Sequence, residues 1–320
     1  MKRWQILGLS LWGTIVFGYL GTFLGLRLFQ TRLIFRPSTP VPNLTPADLG
    51  WTAEAVTLTV PSPESTAPTQ DSTQDNPDRP NPNLTLQGWW FPPKPTPPDT
   101  PAQAIVLFLG RQKTMADHWQ DSALRYRIAA LLSQTSGLLM LDYQGYGQSP
   151  GPRPTESQLY ANGEAAWQFL RDQQGLEPDQ IILYGYSLGS SVALELALRY
   201  PDAGGVIVEG GFTTLEQSLD RHLNSYPFLK IFPLDLILTQ TFDNLSRIAQ
   251  LQVPLLIIHG TADEVVPVEL GQALFAAAPQ PKEMLLIQGA THETAAWVGE
   301  DQYIGTVQQF LRSTSPAPNE

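Results

Sequence analysis

The stretch that decides the fold is "IILYGYSLGS", residues 181–190. Four apolar residues suit a buried strand, a glycine-flanked serine follows, and small residues then open the helical run "SSVALELALRY" that stops at Pro201. Gly185 and Gly189 remove the side chains that would collide in a sharp strand-to-helix turn, and Ser187 sits at its tip. The pentapeptide G-x-S-x-G alone is weak, because with Gly and Ser each about 7% of residues chance supplies one in roughly a tenth of chains this long. Strand before and helix after lift Ser187 above the bare pattern, and the orphan N–H groups of the helix start favour negative charge near the serine oxygen.

Outward from this turn, "AIVLFLG", "GLLMLDY", "QIILYGY", "GVIVEGG", "PLLIIHG" and "EMLLIQG" are continuous apolar runs of strand length, as expected of strands buried on both faces. Helix-length segments lie at about 120–134, 155–174 and 188–200. Strand and helix alternate, which predicts an α/β fold with a mostly parallel, doubly wound sheet. Before it, "AEAVTLTV" (53–60) and "LTLQGWWF" (84–91) alternate as two strands of an antiparallel hairpin. Between them, residues 61–83 contain no large apolar side chain and read as a disordered insertion. The connection 211–250 is too long for a simple crossover and rich in large apolar residues, which suits either a helical cap over a pocket or a crossover packed on the core.

The N-terminus differs in kind. From Trp4 to Leu26 run 23 residues without a charge, enough for a helix to span the roughly 30 Å of bilayer hydrocarbon. A cleaved signal peptide is the competing reading, but the run exceeds the usual apolar region and lacks an A-x-A-like site. The expected organisation is an anchor at 1–36, a linker at 37–50, a catalytic-sized body at 51–313 and a tail at 314–320. Lys2 and Arg3 nearly balance Arg27, Arg32 and Arg36, so flanking charge leaves the orientation open, with a non-cytoplasmic body as the expectation. Gly21 and Gly25 form a GxxxG pair, which does not by itself set an oligomeric state.

The first 36 residues hold five basic residues and no acid, so the remainder carries 14 basic residues against 30 acidic ones, a net of −16. So acidic a body lacks the footprint for a phosphate backbone, and nucleic acid is not an expected partner. Cysteine is absent, which excludes disulfides, thiolate metal sites and cysteine nucleophiles.

A serine hydroxyl needs a base, and the chain offers His118, His222, His259 and His292. His118 belongs near the first crossover helix, His222 in the 211–250 excursion, and His259 at the end of a strand. His292, in "GATHET" after the last apolar run, can reach the carboxyl end of a parallel sheet, where ligands bind in open α/β folds. The acid should follow a strand and precede that histidine, and "LLIIHGTADEVVP" offers Asp263, with Glu264 second.

The order Gly-Tyr-Ser-Leu-Gly, "HGTADEVVP", "GATHE" resembles the α/β-hydrolase superfamily. It is most similar to a branch that includes membrane-attached palmitoyl-protein hydrolases, bacterial relatives and serine aminopeptidase-like enzymes. "LDYQGYGQSPGPRPTE" (141–156) looks like that branch's Asp-Tyr-Arg-Gly-Tyr-Gly-x-Ser block with Gln144 in place of the arginine, and "QTRLIFRPS" also matches. The resemblance covers residues 28–312 less the insertion. It implies an ester or thioester hydrolase in which Ser187 attacks, His292 moves the proton and Asp263 orients the imidazole, with no metal or organic cofactor. It also implies an oxyanion hole from the backbone N–H groups of Leu188 and Arg111. Relatives carry His-Gly-Asn where this chain has Leu109, Gly110 and Arg111, which puts the conformation of that loop in question and lets the Arg111 side chain face an acidic substrate group. An aminopeptidase-like peptidase and a non-catalytic, membrane-tethered binding module remain open. The partners implied are the bilayer and a small-molecule or acylated substrate.

Overall fold

The computed structural model describes residues 3–37, 44–60, 84–94, 103–133, 137–223 and 231–315; the expected insertion at 61–83 lies outside them. Eight strands form one sheet in the order β1-β2-β4-β3-β5-β6-β7-β8. They are β1 (Glu54–Thr59), β2 (Thr85–Phe91), β3 (Ala104–Phe108), β4 (Gly137–Leu141), β5 (Ile181–Tyr186), β6 (Gly205–Glu209), β7 (Leu255–Gly260) and β8 (Lys282–Ile287). β1 and β2 pair antiparallel, β2 joins β4 antiparallel, and every later pairing is parallel.

Hydrophobic pattern sets the place of each strand. Every residue of β3, β4, β5, β6 and β7 is buried, so both sheet faces must be covered. The cover is α3 (Ser122–Leu132) packed on α10 (Ala295–Ser313), and a separate set of α4 (Glu156–Gln168), α5 (Gly189–Arg199), α8 (Asn244–Ile248) and α9 (Val268–Ala277). The last apolar run departs from the expectation. β8 is the sheet edge, paired only with β7, and its side chains alternate so that Leu285 and Ile287 are buried while Leu286 is 37% exposed.

The N-terminal helix α1 (Arg3–Ile34) is the one described helix long and apolar enough to cross a membrane, with a 23-residue span Trp12–Ile34 of mean hydropathy 1.3. Trp12 and Phe17 are 70% and 79% exposed. Its last turns behave differently: Ile34 and Phe35 are buried in the core, and the Gln30 side chain accepts the Thr239 N–H at 2.8 Å while its amide donates to the carbonyl of Ile237. Tyr19 stacks on Phe232 at 4.9 Å. The expected division between anchor and body at residue 36 therefore cuts past residues that already belong to the body.

The 211–250 connection divides its work. α8 packs on α5 and α9 as part of the body, whereas α7 (Leu234–Ile237) packs on α1. α6 (Leu215–Leu223) brings Leu215 and Leu219 to a cavity beside Ser187. It is both a packed crossover and a wall.

Candidate active site

Ser187 occupies the turn between β5 and α5 with φ 53°, in the left-handed region that non-glycine residues rarely adopt. The close approach around it explains the glycines. A Cβ on Gly189 would lie 2.0 Å from the Phe108 carbonyl oxygen, and one on Gly185 would lie 2.4 Å from the Ser190 Cα. The turn is held by the Ser187 N–H donating to the Glu209 carbonyl at 2.8 Å and by Ser190, whose N–H and hydroxyl both donate to the Ser187 carbonyl.

The ends of three strands bring the expected residues together. His292, in the loop after β8, has Nε2 at 2.9 Å from Ser187 Oγ and Nδ1 at 2.7 Å from Asp263 Oδ2, in the loop after β7. A carboxylate only accepts, so Nδ1 carries the hydrogen and Nε2 presents its lone pair to the serine hydroxyl. Asp263 Oδ1 accepts the N–H groups of Val265 and Val266 at 2.9 and 2.8 Å. Burial pushes the Asp263 carboxyl up, but hydrogen bonds from His259 and His292 and the Val266 amide outweigh it and hold it well below the usual carboxylate range. Glu264, the second candidate, is exposed and outside this arrangement.

The other histidines take structural places. His259 is fully buried, donating from Nε2 to the Val266 carbonyl at 2.7 Å with Asp263 Oδ2 at 3.4 Å, so it braces the acid loop. His118 is buried on α2 (Met115–Gln120), where Nδ1 donates to the Thr114 carbonyl at 3.0 Å. His222 lies on α6, its side chain outside what is described.

Room for the imidazole comes from Gly210, φ +58°, where a Cβ would stand 3.0 Å from His292 Cε1. Its neighbour Glu209 forms a buried fork with Arg127: Nε is 3.0 Å from each carboxylate oxygen and Nη2 is 2.6 Å from Oε1. Tyr184 and Tyr303 donate to the same carboxylate. The Arg127 guanidinium lies 4.1 Å from the Tyr186 ring centre and donates to the Glu293 carbonyl at 3.4 Å. The Tyr186 hydroxyl donates to the His292 carbonyl at 3.2 Å. One buried charge pair thus supports the serine turn and the histidine loop together. The only sequence signal for it was a carboxylate closing the apolar run "GVIVE".

The altered loop at Leu109, Gly110 and Arg111 is held from another side. The hydroxyls of Tyr143 and Tyr146, both from the 141–156 block, donate to the carbonyls of Leu109 at 3.2 Å and Arg111 at 2.6 Å. Gln144 turns away from the site, donating to the Pro152 carbonyl at 3.2 Å. Among the described residues neither the Arg111 N–H nor the Leu188 N–H has an acceptor. Two cavities meet at Ser187. An open one is lined by Arg111, Lys113, His292 and Glu293, and a more apolar one by Ile34, Arg111, Leu188, Phe212 and Leu215.

Comparison with known proteins accords with this fold. Residues 115–230 match the α/β hydrolase fold family, and residues 234–296 match the family described as serine aminopeptidase, S33. An uncharacterized protein of Mycobacterium tuberculosis is 31% identical over 288 residues, covering 89% of this chain and 88% of that one. The human alpha/beta hydrolase domain-containing protein 17B is 36% identical over 170 residues, 53% of this chain and 54% of its own length. Among solved structures, an esterase of Pyrococcus furiosus superposes with a TM-score of 0.64 at 20% identity, over 88% of this chain and 99% of that one. The esterase domain of a Rhodothermus marinus protein superposes at 0.52 with 19% identity, over 81% and 100%. The chain belongs to the α/β-hydrolase superfamily.

Proposed function

We propose that the chain is a membrane-anchored serine hydrolase that cleaves an ester or thioester through an acyl-enzyme. The observation that carries this reading is the relay from Asp263 to His292 to Ser187, at 2.7 and 2.9 Å, on a strained serine turn. Ser187 Oγ attacks the carbonyl carbon as His292 Nε2 takes its proton, and the imidazolium then returns it to the leaving alcohol or thiol. Asp263 fixes the tautomer and balances the imidazolium charge. Water, deprotonated by the same nitrogen, releases the acid and restores the serine. The free N–H groups of Leu188 and Arg111 are the donors for the tetrahedral oxyanion.

Nothing in this chemistry calls for a metal or organic cofactor. An aminopeptidase would need an acidic group for the substrate's ammonium. Among the described residues the one carboxylate on the open cavity, Glu293, is bound to Lys113 at 2.9 Å, with Arg111 beside it, so that lining is cationic. For α1, a leader cleaved after residue 35 would take Ile34 and Phe35 out of the core, which favours a retained single-pass anchor. We take the body to face away from the cytoplasm, and protease protection of sealed vesicles reports the side. A fluorophosphonate probe tests the chemistry: wild type labels and Ser187→Ala does not, whereas folded wild type that fails to label is a binding module. Fatty esters, acyl thioesters and aminoacyl amides then rank the substrates.

A further inference from the structure

Two cations line the cavity at Ser187, and they differ in their partners. Lys113 is neutralised by Glu293. Arg111 reaches both cavities, is half-buried, and has no carboxylate within ion-pair distance among the described residues. Arg36, at the end of α1, is exposed and equally without an acidic partner there. Burial and the charge of Arg36 both push the Arg111 guanidinium below its ordinary value, so the two like charges sense one another. This happens in a body with 30 acidic side chains, any of which could have stood beside a structural arginine. A half-buried, unneutralised guanidinium is unfavourable by itself, and a bound anion offsets that cost through paired, charge-assisted hydrogen bonds.

The surroundings say what else the ligand has. Arg111 stands where the open cavity meets the apolar one, whose walls are Ile34 from the last turn of α1, Phe212 and the α6 residues Leu215 and Leu219. A fully polar anion would leave that wall unused. We propose that the serine site takes an amphiphile with a phosphate or carboxylate close to its ester, the anion on the Arg111 guanidinium and the alkyl chain along Ile34, Phe212 and Leu215. The proposal rests on Ser187 being the nucleophile.

The test is the rate of fluorophosphonate labelling of the full-length protein in non-ionic detergent, in the presence of hexyl phosphate, hexyl glucoside or inorganic phosphate. Hexyl phosphate protects Ser187 at concentrations about tenfold below those at which hexyl glucoside does, the factor expected of one charged hydrogen-bonded pair. Arg111→Gln removes that difference, and Arg111→Lys, which keeps the charge without the fork, keeps part of it. The comparison is a ratio between ligands within each variant, so a changed labelling rate caused by the Arg111 peptide group does not enter it. Equal protection by hexyl phosphate and hexyl glucoside, or an undiminished difference in folded Arg111→Gln, overturns the proposal. Inorganic phosphate protecting as well as hexyl phosphate overturns it too, because the site would then be one for a free ion. Labelling without an anion effect defeats this proposal alone, whereas absence of labelling defeats the nucleophile reading and this proposal with it.

Discussion

Arg127→Met removes one half of a charge pair that has no access to water. The side chains of Arg127 and Glu209 are 0% and 1% exposed. The variant leaves a carboxylate buried with only the hydroxyls of Tyr184 and Tyr303, and breaking such a pair from one side costs about 3–5 kcal/mol. For a body of this size that corresponds to a melting point lowered by roughly 6–20 °C, at about 2–4 °C per kcal/mol. Adding Glu209→Gln removes the stranded charge while keeping an oxygen for the two tyrosines, so the double variant is more stable than Arg127→Met alone. Urea denaturation of the four members of the cycle gives the coupling. The same substitution withdraws the ring contact under Tyr186 and the donor to the Glu293 carbonyl, so fluorophosphonate labelling slows even where the protein remains folded. A cost under about 1 kcal/mol, or additive effects in the cycle, would show that this pair does not hold the two loops.

Three further perturbations address the site and its support. Asp263→Asn leaves the geometry but presents the wrong imidazole tautomer, and ester turnover falls on the order of 10⁴-fold, measured as kcat with folding checked by circular dichroism. Gly210→Ala puts a methyl 3.0 Å from His292 Cε1 at a backbone angle alanine resists, so it lowers turnover far more than a Gly→Ala change at the exposed, unobstructed Gly175; similar losses at both would refute the steric argument. Burial and the Arg127 charge depress His118 to about 4, so the unfolded chain binds its proton first and this contribution to stability, about 3 kcal/mol, is lost as pH falls from about 6.5 to 4. Burial raises Asp142 to about 6, so its contribution, of similar size, has the opposite sign and is lost as pH rises from about 4 to 6. Urea midpoints of Asp142→Asn therefore fall more steeply on acidification than those of wild type, and those of His118→Phe fall less; unchanged slopes would contradict both assignments.

The site was legible where chemistry constrains neighbours in the chain. A serine on a sharp turn needs small residues on each side, and Asp263 and His292 each follow a strand, so the three residues that meet at 2.7 and 2.9 Å could be picked out from local pattern and order. The Arg127–Glu209 pair could not, because its members are 82 residues apart and each alone looks like an ordinary helix or strand-end charge. The tyrosine hydroxyls that hold the Leu109–Arg111 loop escaped for the same reason, since a Tyr-x-x-Tyr spacing does not say which carbonyls it meets. β8 misled because an apolar run reports strand propensity, while edge position depends on which strands lie beside it. α9 and α10 fell outside the expected helical segments. In α1 the signal was present in Gln30 and Thr31, polar residues that face Ile237, Thr239 and Gln240 instead of lipid.

That last feature bears on how the protein can be handled. A soluble version cut at residue 36 would discard Ile34 and Phe35, opening a gap in the interior and removing one wall of the cavity at Ser187. A cut near Leu26 keeps Arg27, Gln30 and Thr31 with their acceptors and donors on the segment 231–240. The shortest fragment that keeps this packing therefore begins inside the helix, whose last turns belong to the body and not to a disposable tether.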